Sequence, residues 1–233
     1  MSIWSTLYIF LNIACVGTLV YLIALLTPKR KIPASRAFIF LAGVLIVWII
    51  TLINQVMVSF SVNQVVYLNR LNETVFLFVP LALILLVDKY ATVTRILQRW
   101  VYVFLATWIV VILAMVWTNQ YHNLYWQTES FVMVGNRLQV LVIKTFPAKL
   151  FMVVQHLLIA YISFHFLTLT IQLNRKYRKV VNTINISLAL TTIFSAFALI
   201  SPENTPYNFL PISLTIFTVA LAHLISEHDI FDL

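Results

Sequence analysis

The chain has 233 residues, of which 62% are hydrophobic and 9% are charged, and its mean hydropathy is +0.96. A water-soluble domain of this length does not have such a composition, so we predict an integral membrane protein. The formal net charge is +8, but most of the basic residues are divided among three short loops between apolar segments. This distribution favours contact with anionic membrane lipids and argues against a nucleic-acid-binding protein.

Seven apolar segments follow one another along the chain, separated by polar stretches. Each is long enough to cross about 30 Å of hydrocarbon as a helix, which takes roughly 20 residues. A membrane β-barrel would instead show alternating segments of about ten residues, whereas these segments are apolar on every side. We therefore predict an all-α fold, with a seven-transmembrane helix bundle over residues 1–226 and an exit segment over 227–233. The predicted spans are 4–27, 37–60, 66–87, 100–118, 148–172, 183–200 and 209–226.

The basic residues predict the orientation of this bundle, since cytoplasmic loops carry an excess of Lys and Arg. Eleven of the fifteen basic residues lie in the first, third and fifth loops or at their edges. The other four are Arg70, Arg137, Lys144 and Lys149, on the opposite side. We therefore expect the N-terminus outside the cell and the C-terminus in the cytoplasm.

The sequence offers no cofactor or metal site. Cys15 is the single cysteine, which excludes an intrachain disulfide and a cysteine metal site. His156 and His165 are nine residues apart and half a turn out of phase on a helix, so they cannot ligate one metal together. Enzyme motifs such as HExxH and GxSxG do not occur, and we predict no catalysis by this chain.

The longest external connection, 119–147, contains a predicted β-hairpin. In the stretch FVMVGNRLQV, Gly135 and Asn136 supply the positive φ angles of a two-residue turn. This register places Phe131 opposite Val140, and Met133 opposite Leu138, on one apolar face. Such a face either caps the helix bundle or forms a lid over a site, and the sequence leaves both interpretations open.

The stretch TNQYHNLYWQ, residues 118–127, is similar to a motif of one known family. In the N-terminal seven-helix sensor region of bacterial membrane histidine kinases, a stretch TNxxHxLFW at the outer end of the fourth helix leads into a hairpin. The chain also resembles the family in Pro80 within the third span, in the basic stretch NRKYRK and in SEHDIFDL, which is similar to the family's exit LFDL. The matching residues of the first motif are Thr118, Asn119, His122, Leu124 and Trp126, with Tyr125 in place of Phe.

The resemblance covers nearly the whole chain and departs from the family at Val180, where Gln is usual, and at Asn208, where an acidic residue is expected. It implies a receptor of the bacterial cytoplasmic membrane that passes a helix rearrangement to a cytoplasmic output domain such as a kinase. We expect no kinase domain before Leu233, and we expect His228 to be a linker residue. The chain is then an excised sensor domain or a stand-alone one, and a monomer or a homodimer.

Polar residues at membrane depth predict where a signal acts, because they are costly in lipid and therefore face partners, cavities or ligands. We predict an outward-facing pocket for a small or lipophilic ligand, a peptide or a lipid, in which Glu73 can pair with Arg70, Lys149 or His156. The alternative is a polar clamp between helices that binds no ligand. Interfacial anchoring is the commoner role of such aromatic residues, and a structural role is the commoner one for the loop histidine. The predicted pocket residues are Asn54, Gln55, Glu73, Asn119, His122, Trp126, Gln155 and His156.

A second set of residues lies deeper and is predicted to couple the signal to the output. Pro80 removes one backbone hydrogen bond from the third helix and can form a hinge beneath the pocket. His165, Asn185 and His223 lie near the cytoplasmic ends of the fifth, sixth and seventh helices. The alternative is that these residues only hold the bundle together.

A small secondary transporter or permease is the main alternative function, since intramembrane Glu and His residues can relay protons or bind substrate. Transporters usually contain inverted repeats and helices broken by Gly or Pro at the midplane. The chain has three glycines and no detectable repeat. We therefore favour the receptor.

Overall fold

A computed structural model describes residues 3–30, 33–57, 61–90, 99–134, 137–172, 178–200 and 209–228. Helices form most of this part of the chain, and one pair of strands interrupts them. In chain order the elements are α1 (Ile3–Leu26), α2 (Pro33–Met57), α3 (Val62–Tyr90), α4 (Arg99–Trp117), the single turn α5 (Asn119–His122), β1 (Trp126–Val134), β2 (Arg137–Lys144), α6 (Phe146–Gln172), α7 (Arg178–Ile200) and α8 (Leu210–His228).

Four of the described helices are long and apolar enough to cross a membrane, at Ser5–Lys29, Ala34–Met57, Val62–Leu86 and Phe146–Phe164. Large apolar side chains also point away from the core, as Phe10 of α1 does with 68% of its surface exposed. Apolar surface of this kind suits contact with lipid rather than water. Shorter apolar stretches occupy α4, α7 and α8, at Tyr102–Trp117, Asn182–Phe194 and Leu210–His223.

The described helices close a ring around an apolar core. α2 packs against α1, α3 and α8, while α3 packs against α6, α6 against α7 and α7 against α8. α1 also contacts α8, and α4 packs on α3. The core contains the fully buried side chains Phe38, Trp48, Leu86 and Phe217. Residues from α2, α3 and α8 thus meet in one hydrophobic cluster.

The two ends of this bundle differ. β2 packs against α3, so the strands lie at the end where α3 begins, α4 ends and α6 begins. We call it the hairpin end. At the opposite end, which we call the α1–α2 end, a 3-10 turn over Thr27–Lys29 follows α1 and precedes α2. α6 finishes and α7 starts at the α1–α2 end, because each long helix runs back across the bundle.

Side-chain caps begin two helices at the hairpin end. The backbone N–H of Ser61 donates to Oε1 of Gln64 at 2.9 Å, and the Ser61 hydroxyl lies 3.0 Å from the same oxygen. This S-x-x-Q spacing is that of a capping box, which starts α3. At α6, the Thr145 hydroxyl accepts the N–H of Ala148 at 3.4 Å and donates to the carbonyl of Leu124. The second cap therefore ties the start of α6 to the loop after α5.

β1 and β2 pair as an antiparallel two-stranded sheet. Phe131 lies opposite Val140, and Met133 lies opposite Leu138. The predicted turn residues, 135–136, lie outside the described part of the chain.

The pairing of the two strands is irregular at the start of β1. Thr128 lies opposite Ile143, but the register shifts between Trp126 and Thr128, so Lys144 lies opposite Trp126. Such a bulge re-aims the residues beside it. The last residue of β2 is thereby placed at the start of β1, close to α3.

Candidate functional site

Asn119 organises the chain between α5 and β1. Its side chain is 3% exposed. Oδ1 accepts the backbone N–H of Tyr125 at 2.7 Å and that of Trp126 at 3.0 Å, while Nδ2 donates to the carbonyl of Trp126 at 3.2 Å. A buried loop must satisfy its backbone polar groups, and one amide side chain satisfies three of them here. The polar atoms of Asn119 thus bind the backbone of its own loop.

His122 is held through both ring nitrogens. Nδ1 accepts the backbone N–H of Leu124 at 2.9 Å, and Nε2 lies 2.9 Å from the hydroxyl oxygen of Thr118. An accepting Nδ1 places the proton of a neutral imidazole on Nε2, which donates to Thr118, whose hydroxyl donates to the carbonyl of Ala114 at 2.5 Å. Asn123 follows with a φ of 51°, a left-handed conformation that Asn tolerates. These positions build the turn at the end of α4.

Trp126 lies inside a second hydrophobic cluster rather than at the edge of an open pocket. It is 1% exposed, and its ring packs edge-on against Tyr125 with the ring centroids 5.1 Å apart. The indole Nε1 is buried without a hydrogen-bond partner in the described structure. The other buried members, from α3, α4 and α6, are Leu77, Ile112, Val116 and Ala148. This residue therefore joins three helices to the loop.

Glu73 of α3 forms an ion pair with Lys144. Nζ of Lys144, the last residue of β2, lies 2.8 Å from Oε1 of Glu73, and each side chain is 15% exposed. The Tyr125 hydroxyl donates to Oε2 at 3.0 Å. Nζ of Lys144 also lies 3.6 Å from Sδ of Met152 in α6. One carboxylate thus links β2, the loop before β1 and α3; we call Glu73, Tyr125 and Lys144 the Glu73 cluster.

The predicted partners of Glu73 are replaced by others. No hydrogen bond or ion pair among the described residues joins Glu73 to Arg70, Lys149 or His156, and Lys144 and Tyr125 each bind one of its oxygens. Nε of Arg70 is buried without a hydrogen-bond partner there. His156 is 5% exposed, and its Nδ1 lies 2.6 Å from the carbonyl of Met152, to which it must donate. His156 therefore lies beside the cluster without bonding to the carboxylate.

Burial, the charge of Glu73 and the hydrogen bond to it raise the pKa of the Tyr125 hydroxyl above the ordinary tyrosine value. Because the pKa is raised, the hydrogen bond stabilises the folded protein fully below about pH 10, the ordinary pKa, and this stabilisation is lost as the pH rises through the raised pKa. We expect Tyr125→Phe to leave phenolate absorbance up to about pH 11 unchanged in the folded protein. In denatured protein the phenolate absorbance of Tyr125→Phe should be lower than that of the unchanged protein by the share of one tyrosine in ten. A loss of absorbance in the folded variant would contradict this.

The other predicted pocket residues lie outside the Glu73 cluster. Asn54 and Gln55 are half-buried on α2, and Gln155 is 5% exposed on α6. No hydrogen bond among the described residues connects any of the three to Glu73. The structure thus divides the predicted set into a loop-building group, a cluster around one carboxylate and separate polar residues.

The predicted coupling residues are spread over four helices. Pro80 is buried inside α3, which continues through it. Asn185 of α7 is half-buried, and His223 of α8 is exposed. α6 includes His165, whose side chain lies outside the described part. The described side chains hold no group of three or more His, Cys, Asp or Glu residues that could bind a metal ion.

Two members of the Glu73 cluster, Tyr125 and Lys144, are missing from the predicted pocket. The available signal for Lys144 is its position: it ends the mainly apolar stretch VLVIK two residues before α6 begins. A second missed contact joins α7 to α8, where the hydroxyl of Thr191 donates to that of Ser213 at 3.2 Å. Both side chains are buried, and neither residue type stands out from sequence.

Apolar membrane-length helices, apolar surface and a polar loop assembly at one end define a multi-pass membrane protein. No curated protein matches the chain. A family model described as the N-terminal 7TM region of histidine kinase matches residues 8–233. The chain belongs to this family, as its sequence motifs predicted, and it is a sensory membrane region that acts in signal transduction with a downstream cytoplasmic kinase domain.

Proposed function

We propose that the chain receives a signal at the hairpin end and passes it through the membrane to the kinase domain. In this proposal all seven long helices cross the membrane, with the N-terminus outside and the C-terminus in the cytoplasm. The basic residues support this orientation, since eleven of fifteen would lie on the cytoplasmic side. The shorter helices support it as well, because α4 and α8, of 19 residues each, reach about 28 Å, close to the thickness of the hydrocarbon.

The observation that carries the proposal is the Glu73 cluster. The hairpin is fastened to α3 by the Lys144–Glu73 ion pair of 2.8 Å, and the loop is fastened to the same carboxylate by Tyr125. A partly buried ion pair is costly to break on one side, because the remaining charge loses its partner. A small or lipophilic ligand, a peptide or a lipid that competes for either charge would therefore release the hairpin, which acts as a lid, from α3.

The helix contacts provide a route from this cluster to the kinase. Asn72 precedes Glu73, and its Oδ1 accepts a hydrogen bond from Nε1 of the buried Trp48 in α2 at 2.8 Å. α2 packs against α8, the helix that leads towards the C-terminus. Pro80 lies two turns beyond Glu73 in α3 and removes one backbone hydrogen bond, so α3 has a bending point between its ends. A complete switch between two packings requires about 5.5 kcal/mol of difference in ligand binding.

The test measures autophosphorylation of the intact histidine kinase in membranes with Glu73→Gln, with Lys144→Met and with both. Each single change is expected to shift the basal activity by about 5- to 150-fold, the usual range of coupling between sites. The double variant should resemble either single one, because both break the same contact. The exchange of charges in Glu73→Lys with Lys144→Glu is expected to restore activity towards that of the unchanged protein.

Lys149→Met is the matched control, because Lys149 lies five residues after Lys144 at the hairpin end and its side chain is exposed. We expect it to change basal activity by less than about threefold, as for a surface substitution. The proposal fails if all the variants signal alike, or if the losses of Glu73 and Lys144 add independently.

A further inference from the structure

A groove opens at the α1–α2 end of the bundle, away from the Glu73 cluster. It has a volume of about 650 Å³ and is lined by Thr27, Arg30, Arg36 and Ile39. We propose that this groove binds the phosphate of an anionic phospholipid from the adjacent leaflet. The inference does not rest on the signal-receiving role of the hairpin end, so each can fail without the other.

Two exposed cationic side chains supply the charge of the site. Arg30 and Arg36 are exposed, and within the described residues their guanidinium groups make no hydrogen bond or ion pair. A guanidinium binds phosphate oxygens through paired N–H donors, which makes arginine well suited to phosphate recognition. The negative charge of a lipid phosphate is therefore complementary to the positive charge of this groove.

Two hydrogen bonds hold the backbone beside the two arginines. The hydroxyl of Ser35, a residue with no exposed surface, donates to the carbonyl of Leu26 at 3.0 Å and joins the start of α2 to the end of α1. In the 3-10 turn, the N–H of Arg30 donates to the carbonyl of Thr27 at 3.1 Å. Arg30 at the end of the turn and Arg36 in the first turn of α2 are thereby held near each other, and little ordering of the backbone is needed when a phosphate binds.

The position of the groove at the ends of two apolar helices favours a lipid over a soluble phosphate as the ligand. The apolar stretches Ser5–Lys29 and Ala34–Met57 end on either side of it, which places the arginines where hydrocarbon gives way to headgroups. Ile39 lies one turn further into α2 than Arg36 and offers an apolar wall for an acyl chain. Phosphate and chain would thus be recognised by adjacent parts of one groove.

The groove adjoins the helix that leads towards the kinase. Nζ of Lys29 donates to the carbonyl of Ser226 in the last turn of α8 at 3.0 Å. The 3-10 turn that precedes Arg30 is therefore bonded directly to the end of α8. A bound lipid would stabilise this arrangement, and its loss would alter the position of α8 relative to α1 and α2.

The test is retention of phosphatidylglycerol by the intact protein in nanodiscs of phosphatidylcholine with added phosphatidylglycerol, measured by native mass spectrometry after release. Arg30→Gln with Arg36→Gln is expected to weaken retention by about thirtyfold, as for two basic residues at a membrane surface. Arg178→Gln with Lys179→Gln removes the same charge at the start of α7, at the same end of the bundle, and is expected to leave retention nearly unchanged.

Three outcomes would overturn the inference. Equal losses in the two double variants would mean diffuse attraction by a basic surface, and no loss in either would mean that the groove binds no lipid. Displacement of the lipid by inorganic phosphate alone would identify a soluble phosphate as the ligand. Arg30→Lys with Arg36→Lys keeps the charge and the fold, and it should retain lipid at a level between those of the unchanged protein and the glutamine variant.

Discussion

Trp126→Ala is expected to lower the free energy of unfolding by about 3–5 kcal/mol, the usual cost of deleting a large buried aromatic side chain. Trp126 is 1% exposed and fills the space between α3, α4, α6 and the loop before β1. Its removal leaves a cavity that side chains from three helices cannot close together. Denaturant unfolding of the purified chain in detergent micelles measures the change.

Two control variants test whether the cost comes from packing. One examines the loss of the indole N–H, and the other removes an exposed ring from the same stretch. Trp126→Phe should cost about 1–2 kcal/mol, because it leaves a smaller cavity and the indole N–H has no hydrogen-bond partner to lose in the described structure. Tyr121→Ala removes an aromatic ring from the same stretch, but that ring is 79% exposed and should cost less than about 0.5 kcal/mol. Equal costs for Trp126→Ala and Tyr121→Ala would contradict the packing role.

Asn119→Ala is expected to cost about 3 kcal/mol or more. The substitution leaves two backbone N–H groups and one carbonyl without partners in a loop where Tyr125 and Trp126 are buried. A buried polar group that loses its partner costs about 1–3 kcal/mol. The loss should also raise hydrogen exchange at the amides of Tyr125 and Trp126, which gives a local measurement beside the global one.

Gln120→Ala is the control for this prediction, since the neighbouring Gln120 is exposed. It should change stability by less than about 0.5 kcal/mol. Asn119→Asp should fall between the two, because it keeps the accepting oxygen but loses the donor to the Trp126 carbonyl. If Asn119→Ala proves as stable as Gln120→Ala, the amide does not hold the loop.

Apolar segment length predicts where the long helices lie, but not where they begin. α3 begins at Val62 and α7 at Arg178, four and five residues before the predicted spans. The first turn of each contains two polar residues, so a count of apolar residues begins too late. The spacing of Ser61 and Gln64 is that of a capping box, and it predicts the observed start of α3 from the sequence.

The Glu73 cluster shows what a single sequence leaves undetermined. Spacing along a helix tests only residues close in the chain, and it offered Arg70 as a partner for Glu73. Lys144 lies 71 residues further along and reaches the carboxylate through a strand whose register shifts at a bulge near Trp126. Alternation predicts the pairing of Phe131 with Val140, but it carries no information about that shift.

The residue type of Trp126 does not determine its role either. Tryptophan at the end of a membrane helix serves as an interfacial anchor, a ligand contact or a core residue, and only the position of the neighbouring helices separates these. Asn119 and His122 are similar, because their hydrogen-bond partners are backbone groups of the same loop. Every residue has the same backbone groups, so hydrogen bonds to them cannot be predicted from residue types.

The strand pair divides the chain into two parts that share one interior. The first part holds α1 to α4 and β1, and the second holds β2 and α6 to α8. α1 and α2 of the first part pack on α8 of the second, and α3 packs on α6. Two polypeptides produced by dividing the chain between β1 and β2 would each lack half of the core, so they would fold by assembling with one another in the membrane rather than separately.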